Sequence, residues 1–220
     1  MPGEDWTWTL AAWPEEHRQP WCPKILPDFR GFEPVSPTRV LKDDPSGRVT
    51  LHEVDRSEVV VKSPSPPAGS RRWISPFRKP RAKRAFDKAT RLLAVGLPVE
   101  LPIGLGRQGR RWVGLYALVP GQTLAAYAGP DRPAVLRRVG QLLRQTTAAG
   151  WVHSDAKTTN WIITPDGQPV LCDCDGLKPI VFRARERRGL ERVLRDVRTL
   201  STFEPGDEAA LLEGFDAAQP

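Results

Sequence analysis

The chain has 220 residues, of which 40% are hydrophobic and 27% charged, a globular composition that excludes disorder over the whole length and suits one compact domain or two small lobes. Its Met-Pro-Gly-Glu-Asp start holds no basic residue, no apolar run is long enough to span a bilayer and no cysteine or histidine spacing is of the zinc type; three cysteines, an odd number, exclude a disulfide framework. A cytoplasmic, reducing location is expected, and the formal net charge of +7 favours an anionic partner.

Residues 1 to 37 hold Trp6, Trp8, Trp13 and Trp21 among prolines and glutamates, without helical or alternating periodicity, and read as an extension. Its aromatics lap back onto the core or meet a membrane interface or partner. From Val40 the pattern changes. Arg48 to Val54 alternates, Asp55-Arg56-Ser57 turns and Glu58-Val-Val-Val-Lys62 is β-branched, which predicts a hairpin. The proline-rich and then basic stretch over 63–79 is a loop. Pro80 to Val95 reads as a helix with Phe86, Ala89 and Leu93 on one face and Gly96 as its stop. A strand follows over Arg111–Val119. A second helix opens at Asp131 and Pro133, buries Leu136, Val139 and Leu143, and closes at Gly150. Trp161–Thr164 and Val170–Asp173 flank Pro165-Asp166-Gly167 as a tight hairpin. Leu190, Val193, Leu194, Val197 and Leu200 mark another helix, and Asp207–Phe215 a short last one. The expected organisation is an extension over 1–37, a β-rich lobe with one helix over 38–119 and a short helical lobe over 120–220.

The chemistry lies in His153-Ser154-Asp155-Ala156-Lys157-Thr158-Thr159-Asn160, which reads H-x-D-x-K-x-x-N, and in Asp173-Cys174-Asp175-Gly176 beyond the hairpin. Phosphoryl transfer asks for a carboxylate to take the acceptor hydroxyl's proton and for oxygen ligands to magnesium on the nucleotide phosphates. Asp155 suits the first task. Asn160 and Asp173 suit the second, since a hairpin folds both back onto one ion, and Asp175 is either a further metal ligand or a turn carboxylate. Lys157 is placed to neutralise the transferring group. His153 reads as a packing residue, and Cys172 and Cys174 as small buried hydrophobes.

These residues resemble the catalytic loop and the first position of the D-F-G motif of the protein-kinase-like superfamily. Within it the chain is most similar to the bacterial lipopolysaccharide kinases acting on Kdo or heptose, which pair H-x-D-x-K-x-x-N with D-x-D. The resemblance covers roughly residues 38 to 217. It implies an α+β, two-lobe kinase fold and use of ATP with magnesium. It also implies a sugar or glycolipid acceptor of the cell envelope, reached by peripheral contact with an anionic membrane. By position it makes Lys62 the strand lysine that contacts phosphates, Gly47 the glycine of the phosphate-covering turn, and Ala117 to Val119 the hinge that holds adenine.

Three departures accompany the resemblance. Ser154 stands where regulated kinases carry an arginine, which argues against phosphorylation-gated switching. Cys174 and Asp175 replace Phe and Gly. Ala85 stands where the superfamily carries a helix glutamate, so the lysine is expected to lack its partner. That last departure keeps a pseudokinase scaffold open beside the enzyme. Kinases of soluble small molecules, such as aminoglycoside phosphotransferases, and protein kinases are the rivals in the same fold, although a lobe of about 100 residues leaves little room for peptide docking. The basic runs Arg71 to Arg84 and Arg183 to Arg188 suit a membrane face, and no motif of the nucleic-acid-binding kind is present.

Overall fold

Branched and aromatic residues in short alternating runs build an antiparallel sheet, and the computed structural model, which describes residues 5–11, 32–34, 36–65, 79–181 and 186–217, shows it to be larger than the predicted hairpin. The chain divides into two units, Met1–Arg91 with Glu100–Leu118, and Leu92–Val99 with Val119–Pro220. Trp13, Trp21, Arg71, Arg72, Arg78, Arg183 and Arg185 lie outside the described residues.

The first unit holds β1 (Thr7–Leu10), β2 (Arg39–Asp44), β3 (Gly47–Val54), β4 (Ser57–Pro64), β5 (Pro102–Gln108), β6 (Arg111–Ala117) and most of helix α1 (Arg81–Leu93). The strands form one sheet in the order β1-β5-β6-β4-β3-β2. The predicted hairpin is β3–β4, closed by Asp55 and Arg56, both at positive φ (48° and 60°), the backbone that matches a two-residue turn to the twist of its strands. Val59, Val60 and Val61 are all buried at the centre of the sheet. Phe86, Ala89 and Leu93 of α1 are buried as the helix face predicts, and Phe86 packs with Leu105 and with Ala82.

The expectation that residues before 38 hold no regular element is corrected by β1, which adds to the sheet edge by pairing with β5. Trp6-Thr7-Trp8-Thr9 does alternate, but too briefly to be read as a strand in isolation. Its pairing depends on a distant glycine: Trp8 faces Gly106, where a Cβ would lie 2.2 Å from the indole. Trp6 stacks on Trp8 at 5.5 Å and Phe32 lies 5.8 Å from it. The described aromatics of this segment thus cover their own sheet.

The second unit holds β7 (Gln122–Thr123), α2 (Arg132–Ala148), β8 (Trp151–His153), β9 (Trp161–Ile163), β10 (Pro169–Leu171), β11 (Leu177–Pro179), α3 (Arg188–Val197) and α4 (Gly206–Ala217). The predicted hairpin is β9–β10, widened by β7, while β11 pairs with β8. α2 buries Leu136, Val139 and Leu143 as expected, and Gly150 closes it at φ 83°. α3 ends at Val197, so Leu200 lies in the turn after it and not on the helix. α2 and α4 meet backbone to backbone. A Cβ on Gly214 would lie 2.0 Å from the Arg137 carbonyl oxygen, and one on Gly140 2.3 Å from that of Leu211. A buried ion pair, Arg132 Nε to Asp207 Oδ2 at 2.9 Å, joins the same helices. No helix among the described residues is long and apolar enough to cross a membrane.

Gly214→Ala must push these helices apart, so a loss of about 1–3 kcal/mol is expected, read as a lower midpoint in denaturant melts. A second prediction concerns His52, buried beside Thr50 Oγ1 (2.9 Å) and the Phe32 edge. Burial, and secondarily the Arg48 charge, hold its pKa below the ordinary imidazole value of 6.5. The unfolded chain therefore binds this proton first, and stability falls as pH drops below about 6.5. Melts from pH 7 to pH 5 should show that slope, and His52→Gln should flatten it.

Candidate active site

Strand β8 delivers the H-x-D segment and β11 begins just after the D-x-D segment, so the pairing of Leu177 with His153 sets the two side by side. Ser154 donates its N–H (3.0 Å) and its hydroxyl (2.8 Å) to the Gly176 carbonyl. His153 Nε2 donates to the Asp173 carbonyl at 3.1 Å, with its ring seated against Gly176, where a Cβ would lie 2.7 Å away. The histidine thus packs and holds backbone, as expected. Asn160, in the 3-10 turn Thr158–Asn160, donates Nδ2 to the Asp155 carbonyl at 2.8 Å and accepts from the Cys172 N–H on its own carbonyl, also at 2.8 Å. Cys174 is fully buried, as expected; Cys172 is half-buried.

Asp155, Lys157, Asn160 and Asp173 therefore belong to one hydrogen-bonded pair of segments. Asp173 has φ 58° and ψ 58°, a left-handed conformation costing an L side chain roughly 1 kcal/mol or more, which persists where its surroundings hold it. Here the His153 ring grips its carbonyl. Asn160's side-chain nitrogen is spent on the Asp155 carbonyl, so the atom with which it could meet a cation is the side-chain Oδ1. With the Asp173 carboxylate this is a hard oxygen donor set that suits magnesium shared with nucleotide phosphates. Asp175 sits in the adjoining 3-10 turn Cys174–Gly176. No group of three His, Cys, Asp or Glu side chains forms a metal cluster of its own among the described residues.

Asp155 is 45% exposed and bracketed by two cations, Lys157 Nζ at 3.4 Å and Arg192 Nε at 3.5 Å. Arg192 and Asp196, one turn apart on α3, escape the sequence reading. Asp196 Oδ2 accepts both the N–H and the hydroxyl of Thr158, each at 2.6 Å, and so clamps the loop from outside. Neither residue stands out in a helix rich in charge. Only the tertiary contact selects them.

In the first unit, Lys62 does have a partner, which corrects the expectation that it lacks one. Its ammonium pairs with Glu100, whose side chain is only 4% exposed against 23% for the lysine. The helix indeed supplies nothing: Ala85 is buried and Asp87 is held by Lys79 (3.4 Å) and Lys83 (3.3 Å). A sequence signal for Glu100 exists, since it is the lone charge in the apolar run Leu97-Pro-Val-Glu-Leu-Pro-Ile103. The Lys62 ammonium also lies 5.0 Å from the Tyr116 ring centroid. That ring occupies space left by Gly114, where a Cβ would lie 2.7 Å from it.

Gly47 closes the β2–β3 turn at φ 146°, a Cβ there meeting the Ser63 carbonyl at 2.7 Å. Asp44 accepts the Ser46 N–H (2.8 Å) and hydroxyl (2.5 Å) inside that turn and pairs with Lys42 at 2.9 Å. The Ser46 hydroxyl first, and Lys42 next, hold its carboxyl well below the usual carboxylate range. Arg81 of α1 donates to the Ser46 carbonyl at 3.2 Å. Ala117's N–H is taken by the Leu101 carbonyl (3.0 Å) and that of Leu118 by Glu58 (3.4 Å).

No protein-family model matches this chain, and no curated protein does. Solved structures do. One is an aminoglycoside-3'-phosphotransferase of type VIII, 16% identical, matched over 81% of this chain and 85% of that one with a TM-score of 0.62. The fold is protein-kinase-like. This α+β architecture, a β-rich sheet with a few helices, is the one expected from the sequence.

Asp196→Ala should leave Thr158 with two unmatched donors and cost about 1–3 kcal/mol. Hydrogen exchange at the Thr158 and Asn160 amides is expected to quicken more than at β9 amides.

Proposed function

We propose that this protein is an ATP- and magnesium-dependent phosphotransferase that phosphorylates a sugar hydroxyl of a cell-envelope glycolipid, in the manner of lipopolysaccharide kinases. The observation that carries the reading is the placement of Asp155, Lys157, Asn160 and Asp173 on one locked pair of segments. Asp155 takes the acceptor hydroxyl's proton, and its exposure leaves it open to a large acceptor. Lys157 neutralises the group in transfer. Asn160 and Asp173, with Asp175 beside them, would hold magnesium, which when bound neutralises phosphate charge. Lys62 contacts the nucleotide phosphates, the Gly47 backbone covers them, and adenine is held on the backbone of Ala117 to Val119. With the Ala117 N–H engaged by Leu101, that holding falls to the Ala117 carbonyl and to Val119.

The pairing of Lys62 with Glu100 supports an enzyme over a scaffold, because it gives the lysine the carboxylate partner that the helix lacks. The charges around Asp155 favour an anionic acceptor. Lys157 and Arg192 suit a carboxylate or phosphate near the reacting hydroxyl and would repel an amine-rich sugar. The D-x-D form of Asp173 and Asp175 supports the lipopolysaccharide branch. The basic stretch that includes Lys79 and Lys83 would serve at an anionic membrane face.

Calorimetry on the wild type should show ATP binding that depends on magnesium or manganese and is lost with chelator. Asp155→Ala should abolish transfer while leaving melting temperature and ATP affinity nearly unchanged, because its carboxylate itself holds neither metal nor phosphate. Asp173→Ala should lose the metal-dependent binding. Equal phosphate release by wild type and Asp155→Ala across candidate acceptors would remove catalysis from the reading.

A further inference from the structure

We infer that Glu100 is the residue that positions Lys62 for the nucleotide phosphates, so that this site is aimed by the sheet and not by helix α1. The inference rests on the reading of Lys62 as a phosphate contact.

Helix α1 is not equipped for the task. Asp87 is its only acid, and it is held by Lys79 and Lys83 at the surface. Ala85 is buried and carries no charge. Glu100 lies just ahead of β5, nearly buried, with its carboxylate on the Lys62 ammonium. Removing Lys62 would leave a buried carboxylate without the cation that compensates its desolvation.

The remaining geometry directs the lysine. Lys62 on β4 is registered against Gly114 on β6, and Tyr116, two residues on, shares that face of the sheet. Its ring lies beside Gly114 and flanks the ammonium at 5.0 Å. Pro102 is registered against Tyr116, and Ala117 N–H is tied to the Leu101 carbonyl, which anchors the segment bearing Glu100 to the same sheet. An ammonium has three donors. Glu100 accepts from it and the Tyr116 ring flanks it, while the side chain keeps 23% of its surface. A compact ammonium on a four-carbon stem carries much rotamer freedom; held this way, it meets a phosphate with that freedom already lost. The strands set the pair, so its geometry does not require a movement of α1.

The test uses the full chain and two ligands, MgATP and adenosine, read by calorimetry. Glu100→Gln keeps the shape and removes the charge. It should weaken MgATP binding by roughly tenfold or more and leave adenosine binding within about twofold, since only the phosphates meet Lys62. In a Lys62→Met background the same substitution should add nothing for MgATP, and Asp87→Asn on α1 should change neither ligand. Equal weakening for both ligands would mark Glu100 as structural and overturn the inference. So would no weakening, or a full effect of Glu100→Gln on MgATP when Lys62 is absent. If Glu100→Gln fails to fold, Glu100→Asp, which keeps the charge and shortens its reach, is read with the same ligands, and a selective loss for MgATP is again expected. Wild type that binds no MgATP would remove the kinase reading as well, whereas wild-type binding without the selective loss would remove this inference alone.

Discussion

The hydrogen bonds that lock Trp151–Asn160 to Cys172–Pro179 are the constraint on which the second unit depends. Three carboxylates, those of Asp155, Asp173 and Asp175, sit on these two short segments, and like charges drive such segments apart. Neither segment is long enough to be held by a sheet ladder alone. Side chains supply what the ladder lacks. Ser154 and His153 reach the carbonyls of Gly176 and Asp173, the Cys172 N–H reaches the Asn160 carbonyl, and Asn160 Nδ2 braces its own segment on the Asp155 carbonyl. Each bond satisfies a polar backbone group that an irregular loop would otherwise leave unpaired. Gly176 is part of the same device, because the imidazole lies where a side chain would be. α3 completes it through Asp196 on Thr158 and Arg192 on Asp155.

A related logic governs the first unit, where a charge is brought inside a sheet. Burying Glu100 is tolerable because Lys62 meets it, and Lys62 reaches it across space that Gly114 and the Tyr116 ring define together. Close approach at glycine also seats Trp8 on Gly106. In both cases an aromatic ring takes the volume a missing Cβ leaves, and interior packing at native density allows no emptier solution. The turn at Asp44 to Gly47 is stabilised differently. It carries its own carboxylate, which spends the Ser46 N–H and is offset by Lys42.

The likeness to a phosphotransferase structure at 16% identity illustrates how little of a fold is written in particular side chains. Sheet order, helix packing and turn positions tolerate wholesale replacement provided volume and pattern are kept. Chemistry is less forgiving, and function is argued from sites and not from folds. In this chain the helix position where a glutamate is expected carries alanine, while a carboxylate reaches the lysine from another element. The acceptor of the Lys62 ammonium comes from the segment ahead of β5.

The hairpin of β3 and β4, the helices α1 and α2 and the H-x-D-x-K-x-x-N segment were legible in the sequence because each is governed by neighbours in the chain: alternation, helical spacing, a proline or glycine at a boundary. The short α3 end and the β1 strand were not, since four alternating residues carry too little signal until Gly106 offers them a seat. Glu100, Arg192 and Asp196 show the same limit at the site. A buried carboxylate among apolar residues marks itself as unusual, but which cation answers it, at a separation of 38 residues, is not a local property. By itself the sequence determined the segments that carry Asp155, Asn160 and Asp173 and the hairpin between them, because alternation and the Pro165-Asp166-Gly167 turn are local properties. Only the tertiary structure decided what holds that loop and what holds Lys62, because burial and long-range register choose partners by distance in space.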